Sequence, residues 1–221
     1  MTRQLFEQRL RQLQDEVLIL GSMVEKAVQR SIDALRARDR TLSEAVIDED
    51  RLINAKRYEI EESCIHTIAL QQPMAADLRV LVAVLFITTE LERMADHAEG
   101  IARINLMLDD EPLAGPVGDI MEMAERATDM LRRSLTAFVE RDDRAARLIC
   151  DEDDAIDTLY DRAYHALIQE VIRTPADIQR ITYLIWTCHN LERIADRVTN
   201  ICERVIFMVT GKLEEINVSR Y

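Results

Sequence analysis

The sequence has few of the residues that break helices or form tight turns. Its 221 residues include only five glycines and four prolines, and aromatic residues make up 5%. A sheet-rich protein needs many turns, so this shortage argues against strands. Leu, Ala, Glu and Arg are abundant, and all four favour helices. We therefore predict an all-α fold, with enough hydrophobic residues (48%) for a sizeable core.

The charge balance is strongly acidic, with a formal net charge of −13. The phosphates of nucleic acids and of anionic lipids repel such a surface, so we expect neither as a partner. The most apolar stretch, residues 78–87, is ten residues long, whereas a membrane span needs roughly 20. The polar start MTRQLFEQRL has no signal-peptide core. We therefore expect a cytoplasmic protein without membrane insertion.

Motifs for catalysis and nucleotide binding are missing. Neither a GxxxxGK[ST] loop nor a GxGxxG fingerprint occurs, so no nucleotide cofactor is expected. No possible nucleophile is spaced from a possible general base as a catalytic pair would be. We therefore predict that the protein is not an enzyme. The four cysteines form no CxxC pair and fit small, reduced core residues. A zinc site from Cys188, His189 and Cys202 remains an alternative.

An internal repeat is the strongest signal in the chain. Residues 31–50 align without gaps with residues 134–153, at an offset of 103 and with seven of twenty positions identical. Residues 77–103 align with residues 177–203 at an offset of 100, which places LERMAD opposite LERIAD in the alignment. Such self-similarity indicates two copies of one folding unit.

Each copy is predicted to form three long helices. Apolar residues spaced by three and four predict a first helix over about 3–38. A capping box at Thr41 and Glu44 would start the second helix, and Thr174 with Pro175 would start the sixth. The prediction is two tandem antiparallel three-helix bundles, residues 1–110 and 119–221, joined by a linker at 111–118.

Two acidic stripes recur at equivalent places. Glu92 and Asp96 in the first copy correspond to Glu192 and Asp196 in the second, where the stripe continues to Asn200. A spacing of four puts these side chains on one helical face, and like charges so placed repel by a few tenths of a kcal/mol. Keeping the arrangement twice suggests that a cation offsets the repulsion.

The second helix of each copy carries matching acids. Asp153 and Asp157 have the same spacing, and their counterparts are Asp50 and Asn54. Oxygen ligands from two neighbouring helices suit a divalent or trivalent metal. The candidate ligands are therefore Glu92, Asp96, Glu192, Asp196, Asn200, Asp50, Asp153 and Asp157. The alternative is that these acids are solvated or paired with nearby arginines, and that His97 and His189 are ordinary surface histidines.

Four segments together resemble the PhoU family. They are QQPMAADLR (71–79), ELERMADHAEGIARIN (90–105), NLERIADRVTNICE (190–203) and VIFMVTGK (205–212). The resemblance implies a cytoplasmic, often dimeric, negative regulator of phosphate uptake. It also implies an adaptor between the ATP-binding subunit of a phosphate ABC transporter and the sensor histidine kinase of the phosphate regulon.

Some members of that family carry iron or zinc on their E/D-x-x-x-D faces. By motif position this carries over to the eight candidate ligands named above. The chain departs from the family pattern at Ala95 and Ala195, where glycine is usual, and at Arg197, where histidine is common. The remaining alternatives are a metal-buffering protein and an accessory protein of a different phosphate permease. No phosphate-binding site is visible, so a partner is expected to deliver the phosphate signal.

Overall fold

The computed structural model describes residues 3–108, 113 and 115–216, and all regular structure in these residues is helical. The helices are α1 (Arg3–Ala37), α2 (Arg40–Gln71), α3 (Ala76–Met107), α4 (Val117–Glu140), α5 (Asp143–Asp151), α6 (Asp153–Arg173) and α7 (Ile178–Thr210). A short 3₁₀ turn, Pro175–Asp177, precedes α7. The predicted all-α fold is confirmed.

Helix boundaries differ from the predictions in three places. The α2 cap is Asp39, whose carboxylate accepts a hydrogen bond from the Leu42 N–H at 2.9 Å, so the predicted capping box at Thr41 is wrong. The predicted fifth helix is two helices, α5 and α6, interrupted at Glu152. The last helix opens through the 3₁₀ turn, and the Thr174 side chain does not cap it.

Helices α1, α2 and α3 form one bundle, and α4, the α5–α6 pair and α7 form the other. Their apolar faces make a continuous core that runs through both bundles. Apolar residues of α1 spaced by three and four are almost fully buried, as the periodicity predicts. They are Phe6, Leu10, Leu13, Val17, Leu20 and Val24.

The two bundles lie side by side through two helix pairs. In the first, α3 and α7 are antiparallel, since Arg79 near the start of α3 donates to the Met208 carbonyl near the end of α7 at 3.2 Å. In the second, α1 meets α4 where Glu25 pairs with Arg132 at 3.0 Å. Gly21 permits this approach, because a Cβ there would lie 2.2 Å from Leu135 Cδ1.

The structure describes the predicted linker only in part. Residues 111, 112 and 114 of the 111–118 segment lie outside the described residues, as do 109 and 110 just before it and 217–221 at the end of the second bundle. Helix α4 begins at Val117, inside the range predicted as linker. Within the described part of the chain, no helix is long and apolar enough to cross a membrane.

Candidate functional site: two acidic clusters

The first acidic cluster brings together carboxylates from α2 and α3. Burial and repulsion from Glu92, Asp50 and Glu99 raise the pKa of Asp96 to about 6. Burial, followed by repulsion from Glu99, also raises the pKa of Asp50. Each of these acids therefore lies within electrostatic reach of acids on the neighbouring helix. The predicted stripes of the second and third helices do face each other.

Much of the first cluster's charge is balanced by the protein itself. Arg57 pairs with Glu92 and with Glu61, each at 2.7 Å. Arg103 pairs with Glu99 at 2.6 Å. One oxygen of Asp50 accepts a hydrogen bond from the Asn54 amide at 2.7 Å. The other oxygen, Oδ1, is buried without a hydrogen-bond partner, which is an open position for a cation or water.

The second acidic cluster is built from α6 and α7 at the equivalent place. Asp153 is 3% exposed. Burial, then repulsion from Asp157, Asp196 and Glu192, raises its pKa to about 7. Burial and the charge of Asp196 raise the pKa of Asp157 as well. Four of the predicted ligands thus lie together here.

Two basic side chains of α7 itself lie beside the second cluster. Arg193 pairs with Asp196 at 2.8 Å on the same helix. The His189 ring lies 3.5 Å from the Glu192 carboxylate. Even with Arg193 and Arg197 nearby, burial raises the pKa of Asp196. A raised carboxylate pKa means that the negative charges are costly where they stand.

Asn200 is placed apart from these carboxylates, at the contact between α3 and α7. Its amide donates to Glu90 Oε2 at 3.0 Å. Arg197 also reaches this oxygen, at 3.3 Å. The charge of Arg197, at the position where the family commonly has histidine, is therefore directed to Glu90 of the other bundle.

Sequence reasoning missed a repeated ion pair beside the clusters. Arg30 of α1 pairs with Glu49 of α2. Arg133 of α4 pairs with Glu152, the residue between α5 and α6. Both partners are related by the offset of 103, and both glutamates are the middle residue of the duplicated DED triplet. The duplicated DED triplet was therefore the signal in the sequence that could have revealed this ion pair, and its glutamate joins two helices.

The alternative zinc site is not compatible with the fold. All four cysteines are buried and free. Cys188 and Cys202 both lie on α7, and their separation of fourteen residues corresponds to about 21 Å along a helix axis. One zinc ion, with sulfur ligands at about 2.3 Å, does not reach both.

The donors of the two clusters suit a hard cation, since carboxylate oxygens are the preferred ligands of such ions. The unpartnered Asp50 oxygen and the raised pKa values of Asp96 and Asp153 agree with that chemistry. In the side-chain arrangement of the described residues, no three His, Cys, Asp or Glu side chains converge as ligands. Ligation of a metal by these acids would therefore require their side chains to turn inward.

Comparison with known proteins agrees with the repeat. The family model described as the PhoU domain matches residues 17–104 and again residues 120–205. A phosphate-specific transport system accessory protein PhoU homolog from Clostridium acetobutylicum is 38% identical over 98% of this chain and 100% of its own length. The corresponding protein of Streptococcus pneumoniae is 33% identical over 97% of this chain and 100% of its own.

Two crystal structures share the architecture. The phosphate transport system regulatory protein PhoU from Streptococcus pneumoniae superposes with a TM-score of 0.86 and 32% identity, covering 95% of this chain and 99% of that one. PhoU from Pseudomonas aeruginosa gives 0.89 and 31%, covering 94% and 100%. These matches confirm the predicted tandem bundles, and the chain belongs to the PhoU family.

Proposed function

We propose that this protein is an accessory and regulatory component of a phosphate transport system. The observation that carries the proposal is the match to PhoU relatives over essentially the whole chain, with both domains present. The relatives are described as accessory or regulatory proteins of phosphate transport. The role is one of binding and regulation, and it requires no catalytic step by this chain.

The finer proposal is a cytoplasmic adaptor that restrains phosphate uptake. Its partners would be the ATP-binding subunit of a phosphate ABC transporter and the sensor histidine kinase of the phosphate regulon, and the chain would act as a homodimer. Exposed aromatic residues support a docking role. Phe86 on α3 and Trp186 on α7 stand at equivalent positions of the repeat, with 46% and 50% exposure. Large side chains of this kind are typical anchors in protein interfaces.

Loss of the protein tests the regulatory role. Cells that lack it should take up more phosphate and express starvation genes while phosphate is plentiful, and the restored chain should reverse both effects. Purification of the tagged chain from phosphate-replete and phosphate-starved cells should recover transporter subunits and the kinase. Unchanged uptake together with no recovered transporter subunit would refute the proposal.

We also propose that the two acidic clusters bind metal, with iron or zinc as the ions implied by the family. The support is the grouping of carboxylates whose pKa values are raised by burial and by mutual repulsion. Titration with Fe²⁺ or Zn²⁺ should give a few ions per chain and lose the tighter ones in Glu192→Gln/Asp196→Asn. Asp151→Asn is the matched control, because Asp151 is an exposed acid of the same bundle outside the predicted ligands.

The same titration distinguishes a metal-buffering protein, which the raised pKa values also favour. A buffer would exchange many ions reversibly, and its physiological effect would follow metal supply. The Asp96→Ala/Asp196→Ala variant separates the two functions further. If it recovers partners as well as the unsubstituted chain does, the acidic faces do not serve partner binding.

A further inference from the structure

Two buried thiols meet between α5 and α7. Cys150 lies at the end of α5, and Cys202 lies on α7. They are 2% and 0% exposed. The Cys150 sulfur also lies 3.9 Å from the Thr199 carbonyl oxygen of α7. That carbonyl lies in the turn of α7 directly before Cys202, so the two sulfurs lie close together. The raised pKa of Cys202, whose first cause is Cys150, agrees with this placement. A disulfide requires such neighbouring sulfurs to approach to about 2.05 Å.

The other cysteines have no such neighbour among the contacts of the described residues. Cys64 lies in the first bundle, where its thiol donates to the Leu81 carbonyl at 3.2 Å. Cys188 lies on the same helix as Cys202 and is separated from it by about four turns. The pairing is therefore specific to Cys150 and Cys202.

We propose that Cys150 and Cys202 form a disulfide when the protein meets hydrogen peroxide. The Cys150 thiolate attacks a peroxide oxygen, the O–O bond breaks, and a sulfenic acid and one water result. The Cys202 sulfur then attacks the Cys150 sulfur, the S–O bond breaks, and a second water leaves. In sum, two thiols lose two protons and two electrons, and the peroxide is reduced to two waters.

Access to the thiols depends on local opening of α5. Both thiols are buried away from peroxide in the packed protein, and contact with Cys150, together with burial, raises the pKa of Cys202. Helix α5 has only nine residues and ends at the break at Glu152. A helix this short is not stable alone. We therefore expect α5 to open more easily than the longer helices of the second bundle.

The chain after α7 lies beside the same pair. Glu214 pairs with Arg147, one turn before Cys150, at 2.8 Å. The Ile216 N–H donates to Glu203, the neighbour of Cys202, at 3.0 Å. This segment thus connects α5 to α7 next to the thiols. It should slow the opening that peroxide needs.

Mass spectrometry of the full-length protein tests the proposal. After peroxide treatment the intact chain should lose the mass of two hydrogen atoms, and unreduced digests should join the peptides that hold Cys150 and Cys202. The Cys64→Ser/Cys188→Ser variant should still form the link, whereas Cys150→Ser should not. Glu214→Gln should form it several-fold faster than the unsubstituted chain.

Other outcomes overturn the proposal. One is a folded protein whose Cys150 and Cys202 both remain open to alkylation after a treatment that oxidises the urea-unfolded chain. Links to Cys64 or Cys188, or links between two chains, would overturn it equally. If Cys150→Ser does not fold, the peptide map of the unsubstituted protein decides the matter alone. A Glu214→Gln variant that reacts no faster would remove the role given to the segment after α7.

Discussion

The two bundles place the same carboxylates on equivalent helices but balance their charge differently. In the first, Asn54 donates to Asp50 and Arg57 pairs with Glu92. At the offset of 103, the second bundle has Asp157 and Tyr160 at these positions. At these two positions, one cation is lost and one anion is gained. Burial, followed by repulsion from Asp157, raises the pKa of Asp153 to about 7.

This difference indicates which of the two clusters has more need of an added cation. The first cluster carries its own arginines, so an added metal has to compete with them. The second cluster has Tyr160 in place of Arg57, and its carboxylates repel each other in a buried place. We therefore expect the second cluster to bind cations more tightly than the first.

The contact between the bundles shows the same kind of divergence. At the offset of 100, Glu90 corresponds to Asn190 and Arg197 to His97. One half of the contact is centred on Glu90, which forms an ion pair with Arg197 and accepts a hydrogen bond from the Asn200 amide. The other half is a hydrogen bond between His97 and Asn190 at 3.0 Å. Equivalent positions hold the bundles together by charge on one side and by neutral groups on the other.

The largest effect is expected from Glu90→Ala. Glu90 is 9% exposed, and its loss leaves the mostly buried Arg197 without its counter-charge. Breaking such a pair by removing one partner destabilises the fold by about 3 kcal/mol. Urea unfolding measures the change. Asn190→Ala is the matched variant and should cost only about 1 kcal/mol, the usual value of a neutral hydrogen bond.

Equal costs at Glu90 and Asn190 would contradict the charged and neutral division of this contact. The double variant Glu90→Leu/Arg197→Leu shows whether the destabilisation comes from the lost ion pair or from the unpaired charge that stays buried. It should be more stable than Glu90→Ala, because both buried charges are gone.

The next largest effect is a pH-dependent stabilisation in Asp153→Asn. Burial and repulsion raise the pKa of Asp153 from its ordinary 3.8 to about 7, so the folded state binds the proton more tightly. The stability that this gives is complete below about pH 4 and is lost as the pH rises through about 7. With chelator present, Asp153→Asn should exceed the parent by about 2 kcal/mol at high pH.

Unfolding at acid and at alkaline pH measures this difference. At acid pH the variant and the parent should be nearly equal, since Asp153 is then protonated in both states. Asp50→Asn is the control from the first bundle and should give a smaller effect, because Asn54 already donates to that carboxylate. A difference that does not change with pH would mean that the substitution acts through packing.

Exchange of the compensating residue should move cation affinity between the clusters. Tyr160→Arg gives the second cluster the cation that the first has in Arg57, and should weaken Zn²⁺ binding there about tenfold, or roughly 1.4 kcal/mol. Arg57→Tyr should strengthen the first cluster. Tyr160→Leu controls for loss of the ring, which lies near Tyr164 and His189. Calorimetric titration gives the affinities. An unchanged affinity in Tyr160→Arg would contradict the idea that this position sets the difference between the clusters.

Much of the fold was predictable because the determining patterns are local or duplicated. The three-and-four spacing of α1 and the repeated DED and LER segments lie in the sequence itself, and they predicted the helices and the two bundles. The facing of Asp50 and Asp96 followed once α2 and α3 were neighbours. A spacing of four residues was sufficient to place each stripe on one face.

Other features depend on choices that the sequence leaves open. Asp39 caps α2 because Arg38 turns the chain in the left-handed region directly after α1, and Asp caps as well as Thr. The break at Glu152 lies in the run Asp151–Asp154, where repulsion and the helix dipole favour a new helix start. The Arg197–Glu90 pair joins residues more than a hundred positions apart, which periodicity does not address.

The smallest effect concerns the repeated ion pair. Both Arg30–Glu49 and Arg133–Glu152 are partly exposed, and exposed pairs contribute at most about 1 kcal/mol. Arg133 contacts both oxygens of Glu152, whereas Arg30 contacts one oxygen of Glu49. Double-mutant cycles should therefore give the larger coupling in the second bundle, reduced by salt. Because α2 is continuous and the α5–α6 pair is broken, equal couplings would mean that Arg133 does not anchor that break.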